Sequence, residues 1–257
     1  MSIHLTRDQL DLYDLSDGTI MTTVTNNGYL LYTLNMLKSL KPFGLEHKIL
    51  ILCLDRKGAE VLERMGYHPI CIDHAIGKFC PWNTKGYDQI CYLKMELVYR
   101  ILSFGNNVLL VDGDIVFLQN PIRDVLTWRN EPGEVWIQND AQKDQDTTNL
   151  CTGYLYLRSS PLMIELYDCV SEAGMEKYKK CAFDNNDQTY FNKYVKPHCR
   201  VNALPLDQYP NGKMFYDHLK SVKDDTVLVH FNWVKGHLKM AKMKEHKLWL
   251  LTEEEEC

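Results

Sequence analysis

The 257-residue chain holds no CxxC pair, no HxH or HD cluster, and no apolar stretch near the ~18 residues of a membrane span. Nine cysteines, an odd number without that spacing, argue against a zinc ribbon and against a complete disulfide framework. The opening MSIHLTRDQLDLYDLSDGTI lacks the apolar run of a signal peptide. Together these absences predict a reduced, soluble, cytoplasmic protein. Positive charge is also short: 29 Lys plus Arg stand against 34 Asp plus Glu, a formal net charge of −5. Such a chain has no overall electrostatic pull towards nucleic acid, which is not expected as a partner. Lys235, Lys239, Lys242, Lys244 and Lys247 crowd one stretch ahead of Glu253 to Glu256. They read as a solvated helix face with an acidic tail, one or two lysines being available to an anionic ligand.

Internal repeats and low-complexity linkers are missing too, and 45% of the residues are hydrophobic. One α/β domain over residues 19–250 suits that length, with a polar, loose lead-in over 1–18 and an acidic tail over 251–257. Thr19 to Thr25 (TIMTTVT) reads as a first strand, broken by Asn26, Asn27 and Gly28. Leu30, Leu31, Leu34, Leu37 and Leu40 then recur at helical spacing until Pro42. The near-continuous apolar run Lys48 to Leu54 predicts a parallel strand covered on both faces. A helix over Ala59 to Met65, a short strand over His68 to Ile72 and a helix over Tyr92 to Phe104 follow. Further strands are expected at Asn107 to Val111, Glu134 to Gln138, Tyr154 to Arg158 and Thr226 to Phe231, and a loop-rich stretch over Lys193 to Tyr216. This alternation predicts a central, mostly parallel mixed sheet flanked by helices, Rossmann-like in outline.

The most informative segment is NNVLLVDGDIVFLQNPI, residues 106–122. A buried strand runs into Asp112 and Asp114, separated by Gly113. Hard cations such as Mg²⁺ or Mn²⁺ take oxygen ligands and keep positions open for substrate phosphates. If locally extended, the two carboxylates point the same way, because side chains alternate along a strand. Gly113 leaves room for a ligand to approach the backbone. A tight Asp-Gly turn is the bland alternative. The place of the pair, at the end of a sheet strand where α/β folds bind ligands, favours a functional role.

This stretch resembles the DxD segment of GT-A glycosyltransferases, in particular the nucleotide-diphospho-sugar transferases grouped as glycosyltransferase family 77. The glycogenin-like enzymes of family 8 are more distant. The resemblance implies that Asp112 and Asp114 bind Mn²⁺ or Mg²⁺ across the donor diphosphate, with Asp112 also near the ribose and Gly113 between them. TTVTNNGY, residues 22–29, is similar to the family's base- and ribose-binding strand and loop, which carries Thr25, Asn26 and Tyr29 over as cofactor-binding positions. A plain strand-to-helix turn is the competing reading for each. Lys94 stands at the basic position before the DxD strand, as a nucleotide contact or a surface lysine.

Gln138-Asn139-Asp140 resembles the family's Gln-Thr-Asp segment bordering the sugar pocket, and Asn186-Asp187-Gln188 its Asp-Gln motif beside the anomeric carbon. Asp187, Gln188 and Asp140 are therefore the expected catalytic residues. Asn185 or Asn186 also reads as a helix N-cap. Cys151 stands where the family has asparagine. VLVHFNWVKGHLKM, residues 227–240, resembles the closing segment, which implies His230 as a third metal ligand and Gly236 and Lys239 at the leaving diphosphate. The implied activity is transfer of a sugar from a nucleotide-diphosphate sugar, UDP by resemblance, to a hydroxyl of a glycan or glycoprotein, with retention. A phosphohydrolase would need more ligands in compact His and Asp motifs than the nine scattered histidines provide. A binding module without turnover is the other rival, to which only Cys151 gives an opening.

Overall fold

The β-branched run TIMTTVT forms the first strand of the central sheet, with the boundaries its composition predicts. The computed structural model describes residues 3–15, 17–74, 76–82, 84–181 and 186–256. In chain order these form α1 (Arg7–Asp11), β1 (Thr19–Thr25), α2 (Leu30–Leu40), β2 (Leu50–Cys53), α3 (Arg56–Arg64), β3 (Ile70–Cys71), α4 (Lys85–Ser103), β4 (Asn107–Val111) and β5 (Ile115–Phe117). The second half adds α5 (Ile122–Trp128), β6 (Val135–Asn139), β7 (Leu150–Leu157), α6 (Pro161–Tyr167), α7 (Glu172–Cys181) and α8 (Asp187–Tyr190). It closes with β8 (Val201–Leu204), α9 (Gly212–Met214), β9 (Leu228–His230) and α10 (Gly236–Glu245).

Seven strands build the main sheet in the order β3-β2-β1-β4-β7-β6-β8. Neighbours from β3 to β4 are parallel, β7 runs antiparallel to β4 and β6, and β8 is parallel to β6. The fold is thus the mostly parallel α/β sheet flanked by helices that the alternation predicts. Along β4, Val108 and Leu110 join the core built with Leu93, Leu97 and Ile101 of α4. Leu109 and Val111 join the opposite core, with Leu34, Leu37 and Leu40 of α2. Burial on both faces is why this strand reads as an unbroken apolar run.

Beyond β4 the chain turns through Asp112 to Asp114 and continues as β5, which pairs antiparallel with β9. Ile115 lies opposite His230, Val116 opposite Val229 and Phe117 opposite Leu228. This ribbon rests on a third core of Val116, Phe215, Val229, Phe231 and Met243.

Several elements depart from the sequence reading. The lead-in is not loose: Thr6 and Gln9 form a capping box for α1, and Leu10 is fully buried. The Ile3 amide donates to Glu96 Oε1 at 2.9 Å, tying the segment to α4. Helix α4 starts seven residues before Tyr92, at Lys85, because Thr84 caps it. Within the stretch expected to be loop-rich, Val201–Leu204 adds the edge strand β8. The acidic tail is engaged as well, Glu255 pairing with Lys38 and Glu256 with Lys244 and the Trp249 indole N–H. No described helix is long and apolar enough to cross a membrane.

The packing of α1 carries a prediction. Leu10→Ala removes a fully buried side chain and is expected to destabilise the protein by about 2–5 kcal/mol in urea unfolding. A midpoint equal to that of the unsubstituted chain would return the segment to a loose lead-in.

Candidate active site

Strand pairing brings together residues more than a hundred positions apart. The Asp112 amide makes the last rung to β7, donating to the Gly153 carbonyl at 2.7 Å. After the turn, the Phe231 amide donates to the Asp114 carbonyl at 3.0 Å and locks β9 beside the second aspartate. Asp112, Asp114 and His230 consequently offer ligand atoms that all lie within 4.8 Å of one another. His230 Nε2 is 3.2 Å from Asp114 Oδ1 and 4.0 Å from Asp112 Oδ2. Two carboxylate oxygens and one imidazole nitrogen fit Mn²⁺ or Mg²⁺ and leave the remaining coordination positions to substrate oxygens.

Two glycines make that convergence possible. A Cβ on Gly153 would lie 2.3 Å from His230 Cε1 and 2.8 Å from Asp112 Oδ2. Gly153, two residues after Cys151 in β7, is a site residue the sequence reading did not single out. At Gly113 the place of a side chain is taken by helix α2, whose Thr33 Oγ1 would stand 2.6 Å from an added Cβ, while the residue itself lines the cleft.

Gln138 fixes the chemistry of His230. Both of its amide hydrogens go to carbonyl oxygens, of Tyr209 and Pro210, at 3.1 Å each. Its Oε1 therefore faces the imidazole and accepts from Nδ1 at 2.6 Å. With Nδ1 carrying a proton, Nε2 is the nitrogen presented to the aspartates. Burial pushes the imidazole down, and the Asp114 carboxylate together with Cys151 outweighs it, so His230 sits well above its ordinary value. Asp114 is raised by burial and lowered more strongly by Lys239 and His230, which leaves it below the usual carboxylate range. Cys151 is buried 3.8 Å from Nδ1, and burial raises its thiol.

Lysines flank both aspartates. Lys94 Nζ bridges Asp112 Oδ1 at 2.8 Å and Asp187 Oδ2 at 3.0 Å, and Lys239 bonds Asp114 Oδ2. Burial lowers the Lys94 ammonium, but Asp112 and Asp187 together hold it well above the usual range. Lys94 is thus a buried ion-pair residue rather than a surface lysine. Asp187 lies behind it, 3% exposed, and takes a further bond from Thr152 Oγ1 at 2.8 Å. Burial raises Asp187, and the Lys94 charge together with the hydrogen bonds from Lys94, Thr152 and Cys91 brings it below its ordinary value.

The three groups face a cleft of about 1160 Å³ lined by Tyr29, Lys94, Gly113, Gln188, Gly236 and Lys239 among others. Gln188 faces the cleft where its neighbour Asp187 does not. Asn186, one of the two expected N-caps, caps α8 and accepts from the Gln188 and Thr189 amides; Asn185 lies outside the described residues. Asp140 also lines the cleft, but both its oxygens are taken, Oδ1 by Asn232 and Trp233 and Oδ2 by Gln188 and Asn149.

Two of the expected base- and ribose-binding residues are displaced inwards. Thr25 is buried against Thr33, 2.7 Å between hydroxyls. Asn26 is fully buried, with Nδ2 on the Ile76 and Lys78 carbonyls and Oδ1 on the Tyr29 amide. Its work is to hold the 76–80 loop over the cleft. Tyr29 helps through a bond from its hydroxyl to the Cys80 carbonyl and a ring contact with Phe79. Phe79 in turn fills the space left by the missing side chain of Gly236.

The ion pair beneath the cleft is testable by stability. Lys94→Met leaves Asp187 buried without its cation and is expected to cost about 3–5 kcal/mol. Adding Asp187→Leu should recover most of that loss in the same urea titration; no recovery would mean that the charge pair is not the cause.

Comparison with known proteins agrees with this geometry. A family model described as nucleotide-diphospho-sugar transferase matches residues 44–245. The UDP-D-xylose:L-fucose alpha-1,3-D-xylosyltransferase of Arabidopsis thaliana is 24% identical over 92% of this chain and 70% of its own. The UDP-galactose:fucoside alpha-3-galactosyltransferase of Dictyostelium discoideum is 24% identical over 66% of this chain and 29% of its own. Among solved structures, mouse xyloside xylosyltransferase 1 superposes with a TM-score of 0.53 at 12% identity, over 84% of this chain and 98% of that one, a likeness of fold. The chain belongs to the nucleotide-diphospho-sugar transferase family and is a glycosyltransferase of the GT-A fold that uses nucleotide-sugar donors.

Proposed function

We propose that the enzyme is metal-dependent, takes a UDP-sugar, and moves the sugar to a hydroxyl of a glycan or glycoprotein with retention of configuration. The observation that carries this reading is the convergence of Asp112, Asp114 and His230 at the end of β4, facing a cleft large enough for a sugar nucleotide. Asp112, Asp114 and His230 would hold Mn²⁺ or Mg²⁺ against the donor diphosphate. When bound, such an ion supplies Lewis-acid stabilisation of the negative charge that grows on the leaving diphosphate. UDP is supported by the two relatives, one named for UDP-D-xylose and the other for UDP-galactose.

The chain's own groups divide the remaining work. Lys239, at Asp114, brings a second cation to the leaving-group side, and its contact would strengthen as the bond to the anomeric carbon breaks. Lys94 holds Asp112 from behind and keeps Asp187 ionised beneath it. Gln188 is the member of its pair that reaches the cleft, and its amide would orient the acceptor hydroxyl. Asp140, accepting bonds on both oxygens, fits a role in aiming Gln188 better than one as a free nucleophile. Tyr29 and the 76–80 loop would enclose the nucleotide, with Thr25 and Asn26 acting through that loop. Seven free thiols among the described residues support the cytoplasmic location.

Asp114→Asn keeps the shape of the side chain and removes its charge. Calorimetry of UDP in MnCl₂ is expected to show binding reduced by about a hundredfold or more, with an unchanged circular dichroism spectrum. Binding equal to that of the wild type would sink the metal assignment. His230 must also give up its Nε2 proton to ligate an ion. Mn²⁺ affinity should therefore fall as pH drops below the raised imidazole value, with about one proton released per ion in buffers of differing ionisation enthalpy.

A further inference from the structure

Trp233 combines three features that burial and packing do not explain. Its backbone adopts a left-handed φ of 60°, a conformation that bulky L-residues rarely take. The residue is 55% exposed and lines the cleft. Its indole is nevertheless fixed in place: Nε1–H donates to Asp140 Oδ1 at 2.8 Å, and the Lys213 ammonium lies over the ring at 5.4 Å. A strained residue persists only where its surroundings over-determine it, and such residues cluster at ligand sites.

The surroundings do over-determine it. Asn232, the preceding residue, donates to the same Asp140 oxygen at 3.1 Å and accepts from the Gly212 amide at 2.6 Å. Asp140 Oδ2 takes Gln188 Nε2 at 3.0 Å and Asn149 Nδ2 at 3.1 Å. One carboxylate thus sets the indole and the Gln188 amide together. Gln188 Nε2 spends its second hydrogen on Asn149 Oδ1 at 3.2 Å, so the amide presents its Oε1 as an acceptor. A flat apolar surface beside a fixed amide acceptor is what recognises a sugar ring, whose C–H face is apolar and whose rim of hydroxyls donates. The network also has a definite side. Asp140 follows β6 and Asn149 precedes β7, at the antiparallel half of the sheet, with Gln188 beside them on α8, whereas Tyr29 and the loop held by Asn26 follow β1 in the parallel half. The metal-ligand group lies between them.

We propose that Trp233 is the platform of the acceptor subsite: a pyranose ring of the acceptor stacks its C–H face on the indole while Asp140, through Gln188, aligns the hydroxyl to be glycosylated. The proposal rests on the transferase reading for the identity of the ring as acceptor, and the platform itself is read by binding alone.

The experiment uses the full chain and three probes, the methyl pyranosides of α-L-fucose, β-D-galactose and β-D-glucose, titrated by NMR with and without UDP and MnCl₂. At least one probe is expected to bind the wild type with upfield ring-current shifts confined to its C–H protons. Trp233→Ala should lose those shifts and about tenfold in affinity. Trp233→Phe, which keeps a flat ring and loses the indole N–H, should fall between and guards against a folding defect. Where transfer from a UDP-sugar is measured, acceptor KM should rise in the same order with a smaller change in kcat. No probe binding the wild type, or equal binding by Trp233→Ala, overturns the proposal. So does loss of UDP affinity in Trp233→Ala, which would assign the ring to the nucleobase. Failure of the wild type to bind UDP with Mn²⁺ would instead defeat the donor reading, and the pyranoside titration would still decide the platform.

Discussion

Two carboxylates at the end of one buried strand repel each other unless positive charge is brought to them, and the architecture around Asp112 and Asp114 answers that constraint. In the low dielectric of a protein interior an unmatched carboxylate costs several kcal/mol, far more than any single packing contact returns. Three elements supply the matching groups: α4 carries Lys94, β9 carries His230 and α10 carries Lys239. The last two lie more than a hundred residues downstream, so the final segment must fold back across the front of the sheet. The β5–β9 ribbon and its separate core of Phe215, Phe231 and Met243 are the means.

The same folding-back closes the cleft from the other side. Asn26 and Tyr29, at the end of β1, hold the 76–80 loop, and Phe79 from that loop seats on Gly236 at the start of α10. Tyr32 adds a bond from its hydroxyl to the Gly236 carbonyl at 2.8 Å. Residues two hundred positions apart are thereby coupled through one aromatic ring. Hence a substitution at Gly236 acts on the loop over the donor side as much as on its own helix.

What was legible in the sequence follows from what each signal measures. A strand buried on both faces leaves a continuous apolar run, as in β4, and β-branched residues mark a strand by their propensity, as in β1, so both were readable to the residue and Asp112 and Asp114 could be placed at a sheet end. Edge strand β8 has four residues between proline-containing segments and is only partly buried, so no periodicity marked it. Helix α1 buries a single leucine, and only its Thr6–Gln9 capping box announced it. Adjacent positions on a helix differ by about 100° in direction, which motif matching ignores. That is why Asp187 and Gln188 were grouped, although one faces Lys94 and the other the cleft. Gly113 illustrates a related limit: sequence shows that a side chain is missing but not which neighbour fills its place.

The precision of the site rests on polar side chains with no spare bonding capacity. Gln138 uses two donors on backbone carbonyls and its acceptor on His230, so the imidazole has one orientation and one nitrogen to offer. Asn26 is used up in the same manner beneath the loop, and Asp140 between Gln188 and Trp233. In such networks the loss of one partner costs more than one hydrogen bond, because each buried group left behind is stranded away from water. Glutamate at position 138 would set an oxygen against the Tyr209 and Pro210 carbonyls, acceptor facing acceptor. The side chains that never touch a substrate are then the least replaceable, since they decide where the ligating and stacking groups point.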